Sequence, residues 1–85
     1  MKFKITAPFE KDYAHLPEEI KTKFQKQLSL LLKDPRHPSL RLKKMKGHKN
    51  RWEASITMAY RFTFEIIEDG YTLRRIGPHD ILKKP

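Results

Sequence analysis

The stretch WEASITMAYRFTFEII, residues 52–67, decides the fold, because its apolar residues recur at every second position. Trp52, Ala54, Ile56 and Met58 alternate with Glu53, Ser55 and Thr57, and Tyr60, Phe62, Phe64 and Ile66 then alternate with Arg61, Thr63 and Glu65. A period of two puts each set on its own face of a strand, so this stretch reads as sheet with one face turned to a core.

Beyond it, Glu68-Asp69-Gly70 is a hairpin turn signal, and YTLRRI at 71–76 returns as a further strand that stops before GPHD at 77–80. Before it lies DPRHPSLRLKKMKGHKN, residues 34–50, with two prolines, one glycine and a single acid. This reads as an irregular basic connection with a short strand near residues 40–44, long enough for so small a domain to suggest a task of its own.

The N-terminal third follows a different period. Pro17 precedes Glu18 and Glu19, whose carboxylates favour a helix N-terminus, and Ile20, Phe24, Leu28 and Leu31 then recur at helical spacing. That helix ends at Asp34, since a residue before proline avoids the helical region. In APFEKDYAHL, residues 7–16, Pro8 suits a first helical turn, with Phe9, Tyr13 and Leu16 on one face. KFKIT at 2–6 alternates Phe3 and Ile5 with Lys2 and Lys4, the pattern of a half-buried strand. The expected architecture is α+β: one small domain spanning 1–85, in the order β-α-α-β-β-β, with two N-terminal helices packed on one face of a mainly antiparallel sheet.

With 85 residues the core is modest, burying about 60–65% of the surface that the unfolded chain exposes. There is no cysteine, which excludes disulfides and thiolate metal sites and suits a reducing cytosol. His15, His37 and His48 have no metal-ligand spacing, and no Gly-rich phosphate loop or serine nucleophile motif is present. Neither a signal peptide nor a membrane span is expected.

The formal charge of +9 points to a polyanionic partner, either nucleic acid or an acidic protein. Residues 1–33 carry seven bases and four acids, residues 34–51 seven and one, and residues 52–85 five and five, so the middle segment supplies +6 of the total. Within it Arg41, Lys43, Lys44, Lys46, Lys49 and Arg51 read as a phosphate-tracking surface, against the plainer reading of a solvated charge run.

Arg61 lies on the strand face opposite the aromatics, so with helices over the aromatic face it is expected to project from the sheet's open face. There it either serves a phosphate or simply keeps the face soluble. His79 follows the Gly77-Pro78 step and is either a turn residue or, brought by the hairpin to the same end of the sheet as Arg61, a second phosphate-competent group. Any catalysis by such a set is acid/base chemistry without metal or cofactor.

The helical pair FEKDYAHLPEEIKTKFQKQLSLLLKDP, the LKKMKG and WEASI segments, the YRFTFEI strand and the terminal GPHD, in that order, resemble the RelE/ParE toxin superfamily of type II toxin–antitoxin systems, and its RelE-, YoeB- and YafQ-like messenger-RNA interferases in particular. The resemblance covers nearly the whole chain. It implies a cytoplasmic, ribosome-dependent endoribonuclease in which the 2′-hydroxyl of the messenger RNA attacks the adjacent phosphate, held inactive in a hetero-oligomer with a cognate acidic antitoxin.

On that resemblance Arg61 is the strand arginine that acts on the scissile phosphate and His79 the general acid. RelE-like members carry lysines at the strand positions held here by Glu53 and Ser55. Glu53 is the candidate general base, as a glutamate is in YoeB-like enzymes, with Lys43 or Lys44 assisting. The aromatic that several relatives carry near the C-terminus is not found after His79; Asp80 stands there instead, to orient the imidazole or to cap the following turn. Two other readings stay open: a gyrase inhibitor of the ParE branch, and a nontoxic domain that binds RNA or an acidic partner with its catalytic set eroded.

Overall fold

In the computed structural model, which describes residues 2–85, Thr6 ends strand β1 (Lys2–Ile5) and caps helix α1 (Ala7–Ala14). Its hydroxyl accepts from Phe9 N at 3.4 Å and donates to the Leu73 carbonyl at 3.0 Å, so a single side chain starts the helix and ties it to the sheet. Helix α2 (Glu18–Lys33) has no side-chain cap, and its first-turn glutamates complement the helix dipole instead.

Four further strands follow: β2 (Lys43–Lys44), β3 (Trp52–Ser55), β4 (Tyr60–Ile67) and β5 (Gly70–Pro78). They form one five-stranded sheet in the order β1-β5-β4-β3-β2, antiparallel except for the β1–β5 pair. The α+β architecture and the mainly antiparallel sheet are those read from the sequence, with β2 as the short strand expected near residues 40–44. Short 3-10 segments at Pro38–Leu40 and His79–Lys83 complete the fold.

The helices lie on the aromatic face. Phe24 of α2 meets Phe62 of β4 edge-on at 5.1 Å, and Phe64 meets Tyr71 of β5 at 5.2 Å. Burying each such ring contributes roughly 1.5–3 kcal/mol, so this row of aromatics dominates the small core.

Alternation does not persist through residues 56–59. There Ile56 N and Thr57 N both turn back to the Tyr60 carbonyl, at 3.0 and 3.3 Å, while Thr57 Oγ1 accepts from Ala59 N and Tyr60 N. This tight turn ends β3 at Ser55 and throws Met58, expected on the core face, outward to 79% exposure. Ile5, also expected inward, is 60% exposed at the far edge.

The second face of the sheet is not open. Thr63 is fully buried, Ile81 is buried beside Gly77, and Thr63 Oγ1 donates to the Pro85 carbonyl at 3.3 Å, so the C-terminal segment lies over this face. No described helix is long and apolar enough to cross a membrane.

Candidate active site

Strand register sets the site. Ser55, Arg61 and Gly77 stand opposite one another across β3, β4 and β5. The neighbouring row on the same face runs Lys43, Glu53, Thr63 and Arg75 across β2 to β5. Directly opposed residues share a face, so alternation alone brings Lys43, Glu53, Ser55 and Arg61 together.

Arg61 does not project freely from that face, contrary to the sequence expectation. Its side chain is only 14% exposed, and Nη1 donates to Ser55 Oγ at 2.6 Å and to the Thr57 carbonyl at 2.7 Å. The physical reason is the tight turn after β3, whose carbonyls point back at the strand and recruit the guanidinium. Ser55 Oγ itself donates to the Thr57 carbonyl at 2.9 Å, which closes the network.

Glu53 Oε1 lies 4.0 Å from Arg61 Nε, beyond hydrogen-bond length, with its side chain 17% exposed. The two charges attract without spending the Nε donor. Among the described residues Arg61 Nη2 has no protein acceptor either, so Nε and Nη2 keep donors for an incoming anion while Nη1 holds the plane fixed.

His79 opens the C-terminal 3-10 segment immediately after Pro78, which pairs with Tyr60. Its backbone N–H donates to the Ala59 carbonyl at 3.1 Å, which fastens it to the turn before β4, and its side chain is exposed. The hairpin thus carries His79 to the end of the sheet where Arg61 sits. Asp80 follows it in the first turn of the segment.

The six basic positions fall into separate groups. Lys43 and Lys44 are exposed on β2, with the Lys44 ammonium 5.9 Å from the Trp52 ring centre. Lys46 and Lys49 are exposed in the following turns. Arg41 ends the Pro38–Leu40 segment in the left-handed region, φ 47° and ψ 46°. Arg51 is drawn inward: Nη2 is 3.6 Å from Glu65, and its Nε is buried without a hydrogen-bond partner.

Two polar side chains escaped the sequence reading. Asp12 accepts from Arg75 Nε at 2.5 Å and from Ile76 N at 3.2 Å, capping the edge of β5 where β1 has ended. That hydrogen bond and the carboxylate's charge hold the Arg75 guanidinium's pKa above its ordinary value against the opposing effect of burial. Gln27, buried in α2, donates to the carbonyls of Ser39 at 3.2 Å and Ser55 at 2.9 Å. Helical spacing assigns each of these to a face of its helix but says nothing of a partner some 60 or 28 positions away.

Among the described residues no three histidine, aspartate or glutamate side chains gather as metal ligands would. A cavity of about 730 Å³ between α1 and the end of β5 is lined by Asp12, His15, Tyr60, Arg75 and Pro78, among others.

No family model and no curated relative matches the chain. Solved structures do. A chain of the RelB–RelE antitoxin–toxin complex from Methanococcus jannaschii is 22% identical, with 95% of each chain covered and a TM-score of 0.72. One from the E. coli DinJ–YafQ toxin–antitoxin complex is 14% identical over 95% of this chain and 94% of that one, at 0.80. The YoeB/ParE toxin from Agrobacterium tumefaciens is 18% identical over 93% and 99%, at 0.78. At such identities the likeness is one of fold, and the fold is that of the RelE/ParE-type toxins.

Proposed function

We propose that this protein is the toxin of a type II toxin–antitoxin pair and cleaves messenger RNA on the ribosome without a metal ion. The observation that carries the reading is the Ser55–Arg61–Gly77 register, with Glu53 beside Arg61 and His79 fastened to Ala59 at the same end of the sheet. The fold likeness supports it, and the RelB–RelE and DinJ–YafQ complexes support an antitoxin partner, for which the chain's charge of +9 suits an acidic segment. The compartment in which such a pair works is the cytoplasm.

The chemistry needs three services. A base removes the proton of the 2′-hydroxyl as its oxygen attacks the adjacent phosphorus in line; Glu53 takes this part, with Lys43 opposite it. A donor fork stabilises the charge gathering on the phosphoryl oxygens; Arg61 offers Nε and Nη2, already oriented by the bonds to Ser55 and Thr57, so little reorganisation is left for the reaction itself. An acid protonates the departing 5′-oxygen, which leaves a 2′,3′-cyclic phosphate; exposed His79 fills that place. Arg41, Lys43, Lys44, Lys46 and Lys49 hold flanking phosphates, and Arg51 supports the sheet through Glu65.

The test is induced expression of the wild type, His79→Ala, Arg61→Ala and Arg61→Lys, with 5′ ends mapped on translating ribosomes and growth followed in parallel. His79→Ala is expected to lower cleavage roughly 10²–10⁴-fold, the usual worth of a positioned acid. Arg61→Lys keeps the charge and loses the fork, so it is expected to fall nearly as far as Arg61→Ala. Full cleavage and full toxicity in both His79→Ala and Arg61→Ala would overturn the reading.

The engagement of Arg61 Nη1 with the turn favours a second reading, in which the arginine locks Ser55 and Thr57 and the protein binds RNA or an acidic partner without cutting. That reading predicts a loss of stability in Arg61→Ala and no new 5′ ends from the wild type.

A further inference from the structure

The turn that holds Arg61 has a second side. There Lys23 and Lys26 of α2 and Arg41 after the Pro38–Leu40 segment line an open cavity of about 440 Å³, together with Gln27, Ser39 and residues 55–58. We infer that this cavity is a second phosphate subsite, which holds a phosphodiester of the same RNA strand flanking the one presented to Arg61. The inference rests on the ribonuclease reading above and extends it from Arg41 of the basic segment to Lys23 and Lys26 of α2.

Four observations carry it. First, charge: Lys23 is paired with Glu19 at 3.2 Å, whereas neither Lys26 nor Arg41 has an ion-pair partner among the described residues. The pocket therefore keeps a net positive field. Second, the hydroxyls that line it are already engaged: Ser39 Oγ with His37 Nδ1 at 3.0 Å, Ser55 Oγ with the Thr57 carbonyl, and Thr57 Oγ1 with two backbone N–H groups. The unspent donors are those of the cations and the Thr57 hydroxyl, which is what an anion needs.

Third, the site is built to keep its shape. Gln27, inside the protein, clamps the carbonyls of Ser39 and Ser55 and so fixes the Pro38–Leu40 segment against β3. Arg41 is the single described non-glycine residue with positive φ, a strained conformation for a side chain of its length, retained where glycine would serve the backbone better. Fourth, Met58 stands exposed at the rim. A flexible apolar side chain beside three cations suits a nucleotide, with its base against the thioether and its phosphate among the charges, better than it suits a run of carboxylates.

Ser55 and Thr57 join the two sites, because the same two residues line this cavity and hold Arg61 Nη1. Arg41 also borders a smaller hollow with Arg36 and His37, which continues the basic track away from the sheet.

The test uses a 5′-labelled 12-nucleotide single-stranded RNA, 2′-O-methylated throughout so that it cannot be cut, with its Kd followed by fluorescence anisotropy between 50 and 200 mM KCl. The site variant is Lys26→Gln with Arg41→Gly, which relieves the strained backbone; the control, Lys4→Gln with Lys33→Gln, removes the same charge elsewhere. Circular dichroism and thermal unfolding check each fold.

If the one phosphate contact of the subsite is lost, the slope of log K against log salt is expected to flatten by about 0.7 in the site variant, so that its deficit against the wild type shrinks about 2.6-fold across that range, with a clearly smaller change in the control. Equal flattening in both variants would mean diffuse attraction and would sink the subsite. So would no flattening in the site variant. Mapping of 5′ ends with the wild type reports on the parent reading separately: cuts from a wild type whose site variant binds RNA normally would remove the subsite alone, while a wild type that neither binds nor cuts RNA would remove both.

Discussion

Arg75 and Arg61 stand on the same face of neighbouring strands and use their guanidinium groups in opposite ways. Arg75 spends its fork on Asp12, through Nε to Oδ2 and through Nη2 to Oδ1 at 3.1 Å, and its Nη1 reaches the Lys84 carbonyl at 3.2 Å. All three of its nitrogens are engaged within the fold, so Arg75 is a fastener between α1, β5 and the C-terminal segment. Arg61 commits one nitrogen and keeps two, the arrangement of a side chain that is both positioned and available. Asp12 also accepts from Ile76 N, so Asp12→Ala takes the carboxylate from a half-buried guanidinium and leaves a strand N–H unpaired. The expected cost is about 2 kcal/mol, between the 0–1 of an exposed pair and the 3–5 of a buried one. In a domain of this size that lowers the midpoint of thermal unfolding by about 8–16 °C. A change under 2 °C would mean that the pair is only a surface contact.

Alternation was readable wherever a strand has one buried face, and this is why β4 and its neighbours could be placed from residues 52–76. The faces of Glu53, Ser55 and Arg61 came with it. Which atoms meet did not: the recruitment of Arg61 depends on carbonyl directions in the turn at 56–59, which no side-chain pattern encodes. The cover over the second face was equally illegible, since residues 79–85 are too few to show a period.

Gly70 shows the same divide at the level of the element. In the sequence it is the glycine of a hairpin turn. In the fold it begins β5 and lies opposite Lys2 of β1, and a Cβ there would overlap the Lys2 carbonyl. The parallel β1–β5 pair joins segments nearly 70 residues apart and could not be read from local pattern. Gly70→Ala is expected to push β1 off the sheet at a cost of about 2–3 kcal/mol. The backbone amides of Lys4 and Thr6, on the set that faces β5 in this edge strand, should then exchange with solvent much faster while those of β4 stay protected. Unchanged exchange at Lys4 and Thr6 would show that β1 accommodates the methyl group.

For the molecule as a whole, the charge of +9 works against the fold and would favour a polyanionic partner. Lysines and arginines spread over α2, β2 and the 34–51 connection repel one another when no polyanion is bound, and this self-repulsion weakens as salt shortens the range of the field, to about 8 Å at physiological ionic strength. The half-buried pairs, Arg75 with Asp12 and Arg61 with Glu53, are screened far less. Raising NaCl from 20 to 300 mM is therefore expected to stabilise the free protein by on the order of 1 kcal/mol, about 4–8 °C in thermal midpoint. On the proposed ribonuclease reading, the same change should weaken RNA binding steeply, because each bound phosphate releases counterions. Opposite signs in the two titrations would identify one cause for both, a surplus of unneutralised surface cations. If salt instead lowered the thermal midpoint, the ion pairs would outweigh the repulsion, and the basic surface would have to be regarded as already balanced within the fold.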